Sequence, residues 1–419
     1  MPLLRNWRKK PVTKNSEKRV PALRFKGFTN DWEQRKLEEI TQRIIRKNTN
    51  LTSTLPLTIS AQYGLVDQRI YFEKQIASKK LETYLLLKQG EFAYNKSYSK
   101  DYPFGTIKRL NNYPMGVLST LYIAFKPTLT DTNFLEQYFD SSKWYKEIYK
   151  RATEGARNHG LLNISPLDFF EIIINQPKNK REQKKISKIL KLISLLISLQ
   201  QRKLRQLNFI RQGLTQNLFP DRDKIKPKVQ FKGYKENWKI TKAKNIFTEV
   251  DVRELPDRVI LSTTQTGKVV TRSSLGRNLL FSKDKLKNYK LVLPGQFIIH
   301  LRSFKGGFAT SELSGIVSPT YTIFDFKDRK QNDSNFWSIL FTHYNFIQSL
   351  KSITEGIRYN GVTIKFNQFA NLKITYPDLE IQSRLSQLIQ CLDADIKKQK
   401  LKIQKFKKVK QFLLQNMFI

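Results

Sequence analysis

Leu204-Arg-Gln-Leu207-Asn-Phe-Ile210-Arg-Gln212-Gly-Leu214-Thr-Gln216-Asn217-Leu218-Phe219 returns 199 residues later as Ile403-Gln-Lys-Phe406-Lys-Lys-Val409-Lys-Gln411-Phe-Leu413-Leu-Gln415-Asn416-Met417-Phe418. Working outward, Thr153-Glu154-Gly155, Arg157 and Gly160 recur as Thr354-Glu355-Gly356, Arg358 and Gly361. Pro21, Phe25, Lys26, Gly27, Phe28 and Trp32 recur as Pro227, Phe231, Lys232, Gly233, Tyr234 and Trp238. The offset drifts only from 206 to 199 residues, so two copies of one unit stand head to tail. Solenoid repeats run to about 20–50 residues. A period this long means two whole domains of similar fold, related by an approximate internal two-fold.

Each copy ends in a long helix that follows a closing proline, Pro177 or Pro377. Between Asn179 and Asn217 there is no proline, and the single glycine, Gly213, sits near the end. Apolar residues at 186, 189, 193, 196, then 204, 207, 210, 214 and 218 step by three and four with one break near 200, a heptad-like seam. Leu379–Phe418 repeats it through 385, 388, 392, 396, 403, 406, 409 and 413. A helix of about 39 residues is roughly 58 Å long. Neither rod can bury its stripe alone, so the two are expected to pair through Ile186, Ile189, Ile193, Leu204 and Leu207 on one and Leu385, Leu388, Leu392, Ile403 and Phe406 on the other. Antiparallel pairing would hold the two globular parts at opposite ends.

Those globular parts read as mixed α and β. Trp32–Ile45 has the spacing of a short amphipathic helix, and Leu55–Ser60, Leu85–Tyr94 and Val117–Phe125 read as strands. Asp131–Arg151 reads as a helix and Phe170–Ile174 as a strand. The second copy follows with strands at Arg258–Ser262, Leu291–His300, Gly315–Phe324 and Asn371–Tyr376, and a helix near Asn335–Ser352. The expected class is therefore α+β: two pseudo-symmetric globular α/β domains separated by a pair of long antiparallel coiled-coil-like helices. Its divisions are a basic tail (1–20), a first domain (21–178), a first rod (179–220), a second domain (221–378) and a second rod (379–419).

At 419 residues the chain can build two or three cores. Its formal charge of +41 is far beyond what solubility needs and would repel itself if left uncompensated. Nucleic acid is the leading partner, because each phosphate neutralised releases counterions. Duplex DNA, itself two-fold related and acidic, suits a two-fold basic molecule best. The single cysteine, Cys391, rules out an intramolecular disulfide and fits a reducing cytoplasm. The longest apolar stretch, around Ile189–Leu199, is interrupted by Lys191 and falls short of the ~20 residues a membrane span requires, so no membrane partner is expected. Residues 1–20 carry seven Lys/Arg and one acid without an apolar core, the composition of a solvated tail rather than a secretion signal.

Catalytic chemistry finds little to use. There is no phosphate loop and no strand-linked Gly-x-Gly-x-x-Gly, so neither ATP nor a dinucleotide has an evident cradle. No Asn/Asp-Pro-Pro-aromatic run is present to hold a flipped base. His159, His300 and His343 lack metal-ligand spacing, and one cysteine leaves no zinc knuckle. Pro220-Asp221 has a nuclease flavour without the later Glu-x-Lys. No catalytic or metal-binding residue is assigned, and no cofactor is expected on this chain.

What remains are basic, amide and aromatic residues in expected loops. Lys96, Ser97, Tyr98 and Lys100 follow the strand after Gly90, and Arg302, Ser303 and Lys305 follow the matching strand after Gly295. Gln62 and Tyr63 come after an early strand, as do Gln265 and Thr266 in the second copy. Arg157-Asn158 and Arg358-Tyr359-Asn360 both follow Thr-Glu-Gly. Arg and Lys forks suit guanine edges, Asn and Gln suit adenine, and any single member is as well suited to a phosphate. The Phe-Lys-Gly-aromatic-x-x-x-Trp box is structural, with Phe25, Trp32, Phe231 and Trp238 pinning the entering chain and Gly27 and Gly233 making the turn.

That box, with Gly-Glu-Phe-Ala-Tyr-Asn-Lys-Ser (90–97), Gly315-Ile-Val-Ser-Pro-x-Tyr, Thr-Glu-Gly-x-Arg and the helix opened by Pro177 and Glu182-Gln183, resembles the specificity subunits of type I restriction–modification systems over residues 20–419. The second helix departs from the pattern, with Ile381-Gln382 where Glu-Gln is usual. The resemblance implies two target-recognition domains, each reading half of a bipartite asymmetric DNA sequence. It implies helices that act as a ruler and dock two methyltransferase subunits, with restriction subunits joining them. S-adenosylmethionine, ATP and Mg²⁺ then belong to those partners, and this polypeptide has no activity alone. Two rival classes are a stand-alone DNA-modifying enzyme with a degenerate site and a basic RNA- or ribosome-associated binder. Methyl transfer or cleavage by the purified chain would single out the first, and preference for folded RNA over duplex DNA at fixed salt the second.

Overall fold

The structure is a computed structural model and describes residues 19–73, 80–152, 161–221, 224–264, 267–276, 282–300, 307–351 and 364–419. These form two compact units. One takes the described residues up to Gln201 together with Lys402–Ile419, the other Arg202–Leu401. Each long helix thus belongs half to one unit and half to the other.

In the first unit the chain runs β1 (Glu33–Lys36), α1 (Leu37–Ile40), β2 (Thr41–Arg43), β3 (Leu57–Ser60), β4 (Gly64–Asp67), α2 (Gln68–Phe72), β5 (Leu85–Lys88) and β6 (Phe92–Asn95). It continues with β7 (Thr106–Arg109), β8 (Met115–Leu118), β9 (Ile123–Pro127), α3 (Thr132–Asp140), α4 (Tyr145–Arg151), α5 (Pro166–Phe170), β10 (Ile173–Gln176) and the long α6 (Lys180–Leu218). An antiparallel sheet in the order β2-β9-β6-β7 is flanked by the pairs β1–β10, β3–β4 and β5–β8. Side chains alternate across a strand, and both faces of β6 are buried here. Phe92 and Tyr94 enter the main core with Phe125, Phe134, Tyr138 and Trp144, while Ala93 faces a second cluster with Leu57, Leu87 and Leu118.

The second unit repeats this with β11 (Lys239–Lys242), β12 (Phe247–Val250), β13 (Leu261–Thr263), β14 (Val269–Thr271), α7 (Lys283–Lys287), β15 (Lys290–Val292), β16 (Phe297–Ile299) and β17 (Phe308–Thr310). It ends with β18 (Gly315–Val317), β19 (Thr322–Phe326), α8 (Ser334–Thr342), α9 (Tyr344–Lys351), α10 (Phe366–Ala370), β20 (Lys373–Tyr376) and the long α11 (Leu379–Asn416). Its sheet order, β12-β19-β16-β17 with pairs β11–β20, β13–β14 and β15–β18, is that of the first unit. Phe297 and Ile299 face one cluster and Ile298 the other, as their counterparts do.

Several sequence expectations are corrected. Trp32–Ile45 is not one helix. Glu33–Lys36 pairs antiparallel with β10, Thr41–Arg43 pairs with β9, and only Leu37–Ile40 keeps a helical turn. Tertiary pairing overrides the helical spacing because Leu37 and Ile40 reach the core either way. Leu85–Tyr94 and Leu291–His300 are each two strands, turned at Gly90 (φ +87°) and Gly295 (φ +84°). Val117–Phe125 and Gly315–Phe324 likewise divide into β8 with β9 and β18 with β19. The helix read at Asp131–Arg151 breaks at Ser141, whose backbone is extended.

The two long helices pack together, antiparallel. In the first unit Ile186 and Leu190 of α6 share the core with Leu413, Met417 and Phe418 at the end of the chain. In the second, Leu218 and Phe219 share it with Ile381 and Leu385 of α11. Of the residues expected at this seam, Ile186, Leu385 and Ile403 are buried, and Ile189, Ile193, Leu204, Leu207, Leu388, Leu392 and Phe406 are half-buried. Leu196, Ile210 and Val409, also on the expected spacing, are 40, 48 and 46% exposed. A straight helix drifts about 20° per heptad against a 3.5-residue repeat, so Ile197, Arg211 and Lys410 come inward in their place.

Candidate nucleic-acid interface

Each domain is tied to its rods by its entry box. Gly27 and Gly233 both have φ near +90°, which lets the chain turn and bury Trp32 (2% exposed) and Trp238 (3%). In both copies a rod cation lies over the box phenylalanine, Lys185 over Phe25 (5.9 Å) and Arg384 over Phe231 (4.5 Å). The buried Gln183 accepts from the Asp131 N–H (2.8 Å) and donates to the Pro177 carbonyl (2.8 Å), anchoring the start of α3. Gln382 does the same with Asp333 (3.0 Å) and Pro377 (2.9 Å) at the start of α8. The loops on these domains therefore hang from matched joints.

The loop residues that the sequence singles out fall into two groups. Gln62 and Tyr63 form the exposed tip of the β3–β4 hairpin, where the Tyr63 N–H donates to Ser60 Oγ (3.2 Å). Lys96, Ser97, Tyr98 and Lys100 lie in the loop that joins β6 to β7, with Lys96 half-buried and the other three exposed. Ser97 bridges to Leu161, and the Leu162 N–H donates to the Lys96 carbonyl (3.0 Å), which brings this loop beside the residues that follow position 160. The loop closes on itself through paired Ser99 and Tyr102 backbone bonds (3.1 and 3.2 Å) and Tyr94 Oη donating to the Phe104 carbonyl (2.9 Å). Gly105 (φ +76°) completes the turn; a Cβ there would sit 2.2 Å from the Asn95 carbonyl oxygen, so the return demands glycine. Arg157, Asn158, Gln265, Thr266, Arg302, Ser303, Lys305, Arg358, Tyr359 and Asn360 lie outside the described residues.

Of these residues only Gln62 borders the cleft of about 360 Å³ in the first unit; Tyr63, Lys96, Ser97, Tyr98 and Lys100 do not line it. Ala61 and Gln62 of the hairpin, Tyr102 and Gly105 of the loop, and Lys407, Lys410 and Gln411 of α11 line it. Sequence reasoning missed its charged floor. Asp140, the last residue of α3, accepts from Lys108 Nζ of β7 (2.7 Å) and Lys410 Nζ of α11 (3.3 Å). Burial pushes the Asp140 carboxyl up, but the two ammonium groups outweigh it and hold it below the usual carboxylate range. These partners stand 32 and 270 residues away in sequence, so no local spacing could announce them.

The second unit differs at the same place. Its counterparts of Lys108 and Asp140 are Ala309 and Thr342, by strand register and helix end. Gly267 at the hairpin tip lies against the Phe308 carbonyl and the Thr342 methyl there. The counterpart of Lys410 is Arg211, which forks onto both oxygens of Asp393 across the rods. Here the rod is fastened instead by His343. Its Nε2 donates to the Thr215 carbonyl (3.2 Å), one of the last-turn carbonyls of α6, and its Nδ1 accepts from the Asn345 N–H (3.2 Å). A carbonyl can only accept, so the ring carries its proton on Nε2. Burial lowers the pKa of His343 and keeps it neutral.

Among the described residues no group of three or more His, Cys, Asp or Glu could hold a metal ion. No described helix is long and apolar enough to cross a membrane.

A strand-rich domain built twice on two antiparallel rods defines the class: the fold is that of the S subunits of type I restriction–modification systems. The S subunit from M. genitalium superposes with a TM-score of 0.56 at 12% identity, over 96% of this chain and 99% of that one. A chain from a study of complex assembly and conformational transition of the type I R-M system gives 0.52 at 14%, over 92% and 97%. The HsdS subunit from Thermoanaerobacter tengcongensis gives 0.47 at 13%, over 92% and 96%. No family model matches the chain, and no curated protein matches its sequence.

Proposed function

We propose that this chain is the sequence-reading subunit of a type I restriction–modification assembly. Each domain reads one half of a bipartite, asymmetric duplex target, and the paired rods set the distance between the halves. Half-sites read from one side of B-DNA lie about one helical turn, ~34 Å, apart, within the reach of a rod of roughly 58 Å. The observation that carries this reading is the duplication itself: one sheet topology and one entry joint appear twice, while the loops bordering the reading face have diverged.

Two methyltransferase subunits dock on the rods, and restriction subunits complete the assembly. Leu192, Leu195, Leu196 and Leu199 support such docking, because they form an i, i+3, i+4, i+7 stripe of 40–54% exposed leucines on α6. S-adenosylmethionine, ATP and Mg²⁺ act in those partners, and this chain supplies recognition without catalysis. Exchanging residues 21–178 for the same region of a relative should change one half-site and leave the other intact, as methylation sequencing would report. A change in both halves would refute modular reading.

A further inference from the structure

We propose that the cleft floored by Asp140 is a phosphate site for the duplex backbone, built jointly by the first domain and the carboxy-terminal rod. The proposal rests on the DNA-reading role and extends it by making the rod a contact as well as a spacer. Three ammonium groups, Lys108, Lys407 and Lys410, line the cleft against one carboxylate, leaving it net positive. Asp140 holds two of them in place at 2.7 and 3.3 Å. Lys407 is exposed and has no ion pair among the described residues, so its charge is available to a ligand. Gln62, at the hairpin tip, and Tyr102 share the same walls. A strand whose base edge meets Gln62 therefore passes its phosphate within reach of the lysines. A DNA strand accounts for this pairing of a polar reading tip with fixed cations better than a free nucleotide does, because the tip itself is exposed to solvent.

The second unit has Ala309 and Thr342 at two of these positions and commits Arg211 to Asp393. Among the described residues the phosphate grip is accordingly one-sided, and the first half-site is held with the steeper salt dependence.

The test is the slope of log K against log salt for duplex DNA binding by the full chain, alone or in its methyltransferase complex. Lys407→Ala should make the slope shallower by about 0.9 and cost about fivefold in affinity at 0.15 M salt. Lys407→Ala with Lys410→Ala should do more, and Lys407→Arg should keep the slope. Lys188→Ala removes the same charge from an exposed position on α6 and should leave the slope unchanged. Equal slopes for Lys407→Ala and the unaltered chain, or the same loss in Lys188→Ala, would overturn the proposal. So would a thermal shift with pyrophosphate or a mononucleotide that disappears in Lys407→Ala while DNA binding is untouched, since the cleft would then serve a free phosphate. Failure of the unaltered chain to bind any duplex would instead strike the DNA-reading role. Lys407 makes no hydrogen bond or ion pair among the described residues, and the unfolding midpoint of each variant checks that the fold is intact.

Discussion

The two entry joints are built on one plan and diverge at its centre. In the first copy Glu182, 1% exposed, accepts from Arg24 Nε (2.7 Å), Arg24 Nη2 (2.9 Å) and Trp32 Nε1 (3.3 Å). In the second, Ile381 occupies the place of Glu182 and Gln230 that of Arg24, with both lining one small gap beside Trp238. The Gln230 amide nitrogen is buried with no hydrogen-bond partner among the described residues. The exchange is coherent as chemistry. Losing the carboxylate would strand an arginine, so the arginine has gone as well, and an apolar side chain fills the volume. A buried ion pair and its apolar replacement can be nearly equivalent in stability, whereas half of a pair cannot.

That comparison predicts its own strongest perturbation. Glu182→Ala removes the buried acceptor of Arg24 and Trp32, leaves the half-buried Arg24 the Asn30 carbonyl (2.7 Å), and should cost about 1–3 kcal/mol of unfolding free energy, read by chemical denaturation as early loss of the first unit. Copying the second joint into the first, Glu182→Ile with Arg24→Gln, should recover most of that loss, so the pair is coupled by several-fold more than either change alone suggests. Glu182→Ile by itself, with no such coupling to Arg24, would break the account of the joint.

A smaller effect separates the two rod fastenings by pH. The native Asp140 carboxyl is held below its unfolded value, so its stabilisation is present above about pH 4 and is lost as pH falls further. His343 is depressed below 6.5, so its contribution is present above that pH and is lost as pH falls through the native value. It faces the Thr215 carbonyl, the Asn345 N–H and the Phe219 ring, with the Asp221 charge opposing the depression. Thermal scans between pH 7 and 5 should therefore lower the unfolding midpoint of the second unit, and His343→Gln should flatten that fall. Asp140→Asn should leave the range untouched and alter only the response below about pH 4. The smallest change expected concerns spacing: one added turn in each rod should lengthen the gap between half-sites without altering either half.

Much of this architecture was legible before any coordinates. The rods announce themselves because a 3–4 spacing with a single break over nearly 40 residues has no other use, and the repeat of Phe25 to Trp32 at Phe231 to Trp238 doubles every inference drawn from one copy. What the spacing could not supply is register. Leu196 and Ile197 are equally apolar neighbours, and only the packed partner decides that Ile197 turns inward. Trp32–Ile45 misled for a similar reason, since Leu37 and Ile40 satisfy a helix and a strand–turn–strand alike. The cleft was illegible in principle. Lys108, Asp140 and Lys410 each look like ordinary surface charges until the fold collects them.

Selection from a random duplex library at fixed salt, with the chain alone and with the methyltransferase subunits proposed to dock on it, tests the central claim most directly. Two short sequence blocks separated by a constant gap should be enriched, and exchange of one domain should move one block. Enrichment of a single contiguous block, or preference for folded RNA over any duplex, would contradict it.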